Sequence, residues 1–333
     1  MNIKVTGEHM HSDKYYDWSC QRVLNETDGC RYGDWENNSE GFPFAIHPDG
    51  FPIFLSSKDL HNNDEYSGGD PYAVEGNIED EFHRQRIDST LYLLKSALDE
   101  KISAPKILDI GCGQGHITAA IQKNFPDAEI TGLDYSISAI SYAANNFPGI
   151  DFCVADACNP PYCSEYFDAV VCNNLWEHVP DPLLLLKGIR RILKGHGFLI
   201  VSTPSRYRFS NILKVLRGKR VDLMSPHHVT EYSVGQVMEQ LRWGGFEVKK
   251  IHSKPLSSRA GTVRSLMAYR LILPVMRTYL RVINSDHVLE STAFFLAEKG
   301  VFEERSLWLY SLQFTADPAV FPTVGYGTAL NTE

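Results

Sequence analysis

No stretch of this 333-residue sequence reaches the ~20 consecutive apolar residues needed to span a bilayer. The first residues hold no apolar run of the signal-peptide kind either. A cytoplasmic location is expected, with any membrane contact peripheral. Excess basic charge is also missing: 32 Lys and Arg face 41 Asp and Glu, a net charge of −9. Duplex-binding surfaces draw affinity from neutralised phosphates, so nucleic acid is not the expected partner, although a local basic patch is compatible with this balance. The seven cysteines (Cys20, Cys30, Cys112, Cys153, Cys158, Cys163 and Cys172) include no Cys-x-x-Cys pair. Their odd number and loose spacing fit a reducing compartment better than a disulfide framework. Internal repeats and low-complexity tracts are absent as well. The length suffices for one large α/β domain with an extra segment, or for two modest domains.

Residues 1–75 are rich in Gly, Asn, Asp and Pro, punctuated by Trp18, Trp35, Phe42, Phe44, Phe51 and Phe54. They read as loops and short strands with enough aromatic content to be ordered. Residues 78–99 carry Phe82, Ile87, Leu91, Leu94 and Leu98 at helical spacing. From Lys106 strand and helix alternate. Strands are expected at 106–110, 129–133, 151–154, 167–172, 197–201 and 246–251. Helices are expected at about 115–125 and at 136–147, 182–193 and 233–243, the last closed by Gly244-Gly245. A seventh strand is placed at 306–312, with 292–296 as its rival. This alternation implies a doubly wound, mostly parallel sheet whose ligands sit beyond the carboxyl ends of the strands.

Asp109-Ile-Gly-Cys-Gly-Gln-Gly115 follows the first of these strands and opens a helix. Gly111, Gly113 and Gly115 let bare backbone approach a ligand. The GxGxG spacing is one residue shorter than the dinucleotide fingerprint, so a pyrophosphate need not be bound. The loop suits the amino-acid end of a ligand. Asp134 ends the second strand, where a carboxylate can accept from both ribose hydroxyls. Asp156-Ala157 follows the third strand and could meet an adenine edge, or simply make a turn.

With Ile107 to Gly115, Gly132-Leu-Asp134, Ala155-Asp-Ala157, Phe167-Asp-Ala-Val-Val171, Glu177-His-Val-Pro-Asp-Pro182 and Gly197-Phe-Leu-Ile-Val201 in this order, residues 78–252 resemble a class I S-adenosylmethionine-dependent methyltransferase. The pattern is similar to ubiquinone-biosynthesis O-methyltransferases and related small-molecule enzymes. The resemblance implies a seven-stranded Rossmann-like sheet of order 3-2-1-4-5-7-6 with strand seven antiparallel. It implies S-adenosyl-L-methionine as cofactor, its methionine part on Asp109 and the glycine loop, its ribose on Asp134 and its adenine at Asp156 and Ala157. Tyr135 and Asn173 join these as candidate cofactor contacts. Asn159-Pro-Pro-Tyr162 has the form of an amino-methyltransferase signature. It precedes the fourth strand instead of ending it, and reads as a Pro-rich connection.

Methyl transfer needs the acceptor aligned, water excluded and a proton removed. His178, beyond the fourth strand, is a candidate base; the alternative is packing before the following helix. His227 and His228, in Ser225-Pro-His-His-Val-Thr-Glu231, are candidates for the same role. A metal would need ligands from Glu177, His178, His227 and His228, and no spacing fixes such a set; nor do His9, His11, Cys20 and Cys30 fit a zinc pattern. No metal is therefore expected. Residues 203–221 mix Arg206, Arg208, Lys214, Arg217, Lys219 and Arg220 with apolar residues. They read as a lid, either gripping an anionic substrate or closing the site as an amphipathic helix. Residues 262–283 are apolar with Arg264, Arg270, Arg277 and Arg281, and read as a packing or dimer helix or as a membrane-interface helix, interrupted at Pro274.

Three segments follow: an extension over 1–75, a cofactor-binding core over 76–252 with a lid at about 203–231, and a helical segment with the last strand over 253–333. The expected function is methylation of a small-molecule, sugar or lipid-linked acceptor, glycans included, at oxygen; nitrogen or carbon, and a non-catalytic assembly module, are the alternatives. A nucleotide-cofactor oxidoreductase is disfavoured by GxGxG. A homodimer is compatible with the sequence.

Overall fold

A computed structural model describes residues 14–17, 21–25, 28–32, 42–55, 81–98, 102–254 and 267–300. Trp18, Trp35, His9, His11, Cys20, Arg264 and the segment 306–312 lie outside them. In chain order the extension supplies β1 (Tyr16–Asp17), β2 (Arg22–Val23), β3 (Cys30–Arg31), β4 (Ala45–Ile46) and β5 (Pro52–Ile53). Then follow α1 (Glu81–Ala97), β6 (Lys106–Ile110), α2 (His116–Asn124), β7 (Glu129–Asp134), α3 (Ile137–Asn146), β8 (Asp151–Val154) and β9 (Phe167–Asn173). The remainder comprises α4 (Pro182–Ile192), β10 (Leu193–Pro204), α5 (Phe209–Leu216), α6 (Val234–Trp243), β11 (Phe246–His252), a π-turn at Ala268–Ile272, α7 (Leu273–Val282) and β12 (Thr292–Lys299).

The main sheet runs β11-β12-β10-β9-β6-β7-β8-β5-β4-β3. Counted from β6, the seven strands of the core stand in the order 3-2-1-4-5-7-6, and β12 is antiparallel to both β10 and β11. Among the described residues the sheet has ten strands, not seven. β5 pairs in parallel with β8 through Ile53 and Val154, and Phe54 N–H donates to Val154 O at 2.8 Å. An uncovered β8 would present unpaired backbone groups at an edge, and the extension satisfies them. Lys14, fully buried, fastens the start of this extension: its ammonium lies 2.7 Å from Asp151 Oδ2, 3.0 Å from Thr131 Oγ1 and 3.1 Å from Glu129 Oε1.

The seventh strand is Thr292–Lys299, not 306–312. Thr292 to Ala297 are all buried between β10 and β11, so a continuous apolar run rather than an alternating one is what this central position needs. α1 also departs from its expected apolar stripe. Its buried line is Gln85, Ser89, Thr90, Leu93 and Leu94, while Ile87, Leu91 and Leu98 only flank the core. Of its polar members, Thr90 meets Asn173 at the end of β9 and Gln85 donates to the carbonyl of Lys254. Helix starts follow local chemistry. Asp181 Oδ1 accepts from Leu183 and Leu184 N–H with Pro182 in the first turn, and Ser233 and Gln236 form a reciprocal capping box. Pro274 does not interrupt the helix at 268–282. It lacks the N–H that an α-helix would use there, and the wider π-turn just before it absorbs the mismatch. No helix among the described residues is long and apolar enough to cross a membrane.

Candidate functional site

The carboxyl end of β6 runs directly into the glycine loop. Gly113 (φ +52°) and Gly115 (φ +78°) occupy left-handed backbone that other residues take only with strain. Gly115 is also the N-cap of α2 without any side-chain cap, and a Cβ there would stand 3.0 Å from both Ala143 Cβ and Phe152 Cζ. The loop is pinned to β7. Gly111 and Cys112 donate to Leu133 O at 2.7 and 3.0 Å, and Gly113 N–H donates to Asp134 Oδ2 at 2.7 Å. Asp134 Oδ1 accepts from Ser136 N–H at 2.9 Å. Two elements far apart in sequence, the loop and the β7 acid, are thus joined side by side, with Tyr135 exposed next to them.

Asp109 is buried and accepts from Thr118 Oγ1 at 2.7 Å. Loss of hydration pushes its pKa up to about 6; the Thr118 hydrogen bond and the nearby Arg86 charge oppose the rise, and Asp134 adds to it. Arg86, on α1, lies over the Phe82 ring at 5.6 Å, and its Nε is buried with no hydrogen-bond partner. This residue was not picked out from the sequence. Its position gave no signal in the apolar spacing of the helix, which points to a different face. A buried orphan donor near a desolvated acid is the arrangement expected where an amino acid's carboxylate and ammonium are to be received. The site fits the methionine end of S-adenosylmethionine on this ground.

Asp156 is exposed. Its Oδ1 accepts from Cys158 N–H at 2.8 Å in a tight turn, and Ala157 packs against the core. Asn173 has its side chain engaged by Thr90 on α1 at 3.0 Å and by Ser202 on β10 at 2.8 Å, which leaves chiefly its backbone to face a ligand. The Asn159 to Tyr162 segment is a structural connection: Tyr162 is fully buried, 3.0 Å from Cys153 Sγ, and Arg191 holds the carbonyls of Pro160 and Tyr162.

Beyond β9 the chain turns through Asn174 (φ +51°), and Leu175 lies over Gly111, 3.1 Å from where its Cβ would be. This turn carries His178 into edge-to-face contact with His228, ring centroids 5.0 Å apart at 88°. Of the three candidate histidines the structure brings these two together, and His227 is exposed. The loop holding His228 is tied to the β9 turn by Val229 and Thr230 N–H donating to Glu177 O at 2.8 and 3.3 Å. His228 Nδ1 stands 3.2 Å from Glu231 Oε1, and Glu231 also accepts from the buried Arg208 and from Met224 N–H. These contacts hold the Glu231 carboxyl down at about 2 against the opposing cost of its burial. Donor atoms of Glu177, His178 and His228 lie within 4.8 Å of one another, a set that could ligate a cation. Glu177, however, already accepts from Asn174 Nδ2 at 2.9 Å and Thr203 Oγ1 at 3.0 Å, one bond on each oxygen.

The family model for a methyltransferase domain matches residues 102–249. The ubiquinone biosynthesis O-methyltransferase of Actinobacillus pleuropneumoniae is 29% identical over 170 residues, covering 46% of this chain and 72% of the relative. That of Haemophilus ducreyi is 30% identical over 174 residues, covering 46% and 71%. A probable S-adenosylmethionine-dependent methyltransferase of Mycobacterium tuberculosis is 26% identical over 152 residues, covering 45% and 51%. The glycine loop joined to Asp134 and the order of the core strands agree with these likenesses, and the chain belongs to the S-adenosylmethionine-dependent methyltransferases.

Proposed function

We propose that the enzyme methylates an oxygen of a small-molecule, sugar or lipid-linked acceptor, with the His178–His228 pair taking the acceptor's proton. The pairing of the two imidazoles on the turn that packs over Gly111 carries this reading. When bound, S-adenosylmethionine supplies an electrophilic methyl on a sulfonium. Asp109, Arg86 and the backbone of Gly111 to Gly115 would hold its amino-acid end, Asp134 and Tyr135 its ribose, and Asp156, Ala157 and the Asn173 backbone its adenine side. Residues 76–252 then form the cofactor-binding part. Residues 203–231 close the acceptor side from above, and the segments 1–75 and 253–333 flank it.

A hydroxyl is a poor nucleophile until its proton is taken up, whereas a neutral amine needs only alignment. Glu231 fixes Nδ1 of His228 as the hydrogen-bonded nitrogen, which leaves Nε2 to act. A screen of hydroxylated and amine metabolites with methyl-tritiated S-adenosylmethionine tests the proposal. Label is expected in hydroxyl acceptors, lost by about a hundredfold or more in His178→Ala/His228→Ala with cofactor binding retained. Unchanged turnover in that variant, or label confined to amines, would overturn it. The proximity of Glu177, His178 and His228 favours a second reading, in which a divalent ion lowers the acceptor's pKa. Loss of turnover on chelation, restored by a divalent metal, would select it.

A further inference from the structure

The described surface carries an apolar face that the methyl-transfer chemistry does not use. α7 is apolar on two sides. Leu273, Met276 and Leu280 turn inward and join Phe209 and Leu213 of α5 and Leu289 in one small core. The other side, Val275, Tyr279 and Val282, continues a stripe begun by Leu271 of the preceding π-turn, and Leu271, Val275, Tyr279 and Val282 are 61, 67, 62 and 78% exposed. Val275, Tyr279 and Val282 with Pro274 and Thr278 line an open apolar groove. At the end of α5, Val215 and Leu216 are 59 and 76% exposed. Isolated exposed apolar residues are ordinary, but a contiguous helical stripe is not.

The charge on the two segments that carry this face is of one sign, with Asp222, Asp286 and Glu290 just beyond them. Residues 203–221 and 267–285 contain no Asp or Glu, in a chain whose acids outnumber its bases by 41 to 32. Arg217, Lys219, Arg270 and Arg281 are exposed, and none has a carboxylate partner among the described residues. Lys214 and Arg220 share Asp222, while Arg277 pairs with Glu290. An apolar stripe edged by free cations on an otherwise acidic protein matches the layering of an anionic bilayer surface, acyl chains below and phosphates above. A second copy of the chain would bring the same cations against themselves.

We propose that α7, together with the end of α5, docks the enzyme on membranes containing anionic phospholipid, Leu271, Val275, Tyr279 and Val282 entering the interface and Arg217, Lys219, Arg270 and Arg281 meeting the headgroups. α5 lies in the segment that closes the acceptor side, so docking would seat that segment at the bilayer. The surface does not depend on which acceptor atom is methylated.

Co-sedimentation of the full chain with vesicles of roughly three parts phosphatidylcholine to one part phosphatidylglycerol tests this. Binding is expected to these vesicles, to be at least about tenfold weaker to phosphatidylcholine alone, and to weaken as salt is raised. Val275→Glu/Val282→Glu should lower it about tenfold or more, and Arg270→Glu/Arg281→Glu comparably. All four positions are exposed, so the circular dichroism spectrum and S-adenosylmethionine binding should stay at wild-type values. Failure of the wild type to bind either vesicle would overturn the proposal, as would binding indifferent to both variants. A dimer in sedimentation velocity, dispersed by Val275→Glu/Val282→Glu, would also overturn it and assign the face to a second copy.

Discussion

Glu231→Gln removes a charge on which three donors converge. In the native chain Glu231 is 1% exposed and held by Arg208, His228 and Met224 N–H. Its folded pKa of about 2 lies below the ordinary value of 4.5. A carboxylate depressed in the folded state stabilises fully above its unfolded pKa and loses that contribution as pH falls through the folded value. At ~1.4 kcal/mol per unit the contribution is about 3 kcal/mol at pH 7, shrinking to about 2 kcal/mol near pH 3.5. The variant also leaves Arg208 buried without a counter-charge, which adds up to about 2 kcal/mol and keeps the total within the ~3–5 kcal/mol range of broken buried pairs. Urea melts of wild type and variant should therefore differ by about 3–5 kcal/mol at neutral pH, with the gap narrowing below about pH 4.5. Arg208→Met/Glu231→Leu should recover part of the loss, since both charges then go together. A difference under about 1 kcal/mol at pH 7, or a gap that widens on acidification, would refute the reasoning.

Asp134→Ala should weaken S-adenosylmethionine binding by on the order of a hundredfold or more in calorimetry, because two charge-assisted acceptors vanish; affinity within about twofold of wild type would remove Asp134 from the ribose site. Asp109 has its pKa raised to about 6, so in the unliganded protein it contributes a destabilisation that grows as pH rises from its unfolded value toward 6. A cationic ligand favours its ionised form, and affinity for S-adenosylmethionine should rise between pH 5 and pH 7 by about tenfold and then level off, a slope absent in Asp109→Asn. Arg86→Ala should cost about tenfold or more in affinity while Arg86→Lys recovers part of it, whereas equal loss in both would point to packing against Phe82.

The cofactor side was legible because its chemistry is local. Three glycines fix the turn after β6, and Asp134 ends a short predictable strand, so the sequence pattern alone places the loop and the acid together. Strand seven was misplaced because its burial on both faces erases the alternation by which strands are ordinarily recognised. The three added strands were legible only as short-strand tendency. Whether they would join the sheet depends on Ile53 meeting Val154, a contact between residues 101 positions apart, and on Lys14 reaching three acceptors on β7 and β8. Arg86 was invisible for a related reason. A helix read by its apolar spacing points the wrong way when its inward line is Gln85, Ser89 and Thr90; Thr90 meets Asn173 there and Gln85 the carbonyl of Lys254.

The turn after β9 shows why the two halves of the site cannot be altered separately. Leu175 lies over Gly111 of the cofactor loop, Glu177 O receives the backbone of Val229 and Thr230 beside His228, and the Glu177 carboxylate ties Asn174 to Thr203. Five residues, 174–178, therefore share one rigid connection between the glycine cradle and the histidine pair. Glu177→Ala would leave Asn174 Nδ2 and the buried Thr203 hydroxyl without their acceptor, at about 1–3 kcal/mol each. The loosened turn would displace Leu175 at one end and His178 at the other. Cofactor affinity and turnover should fall together in this variant, whereas His178→Ala, which leaves the carboxylate in place, should lower turnover alone. If Glu177→Ala bound S-adenosylmethionine as tightly as wild type, the turn would not be the shared element and the two subsites would be mechanically independent.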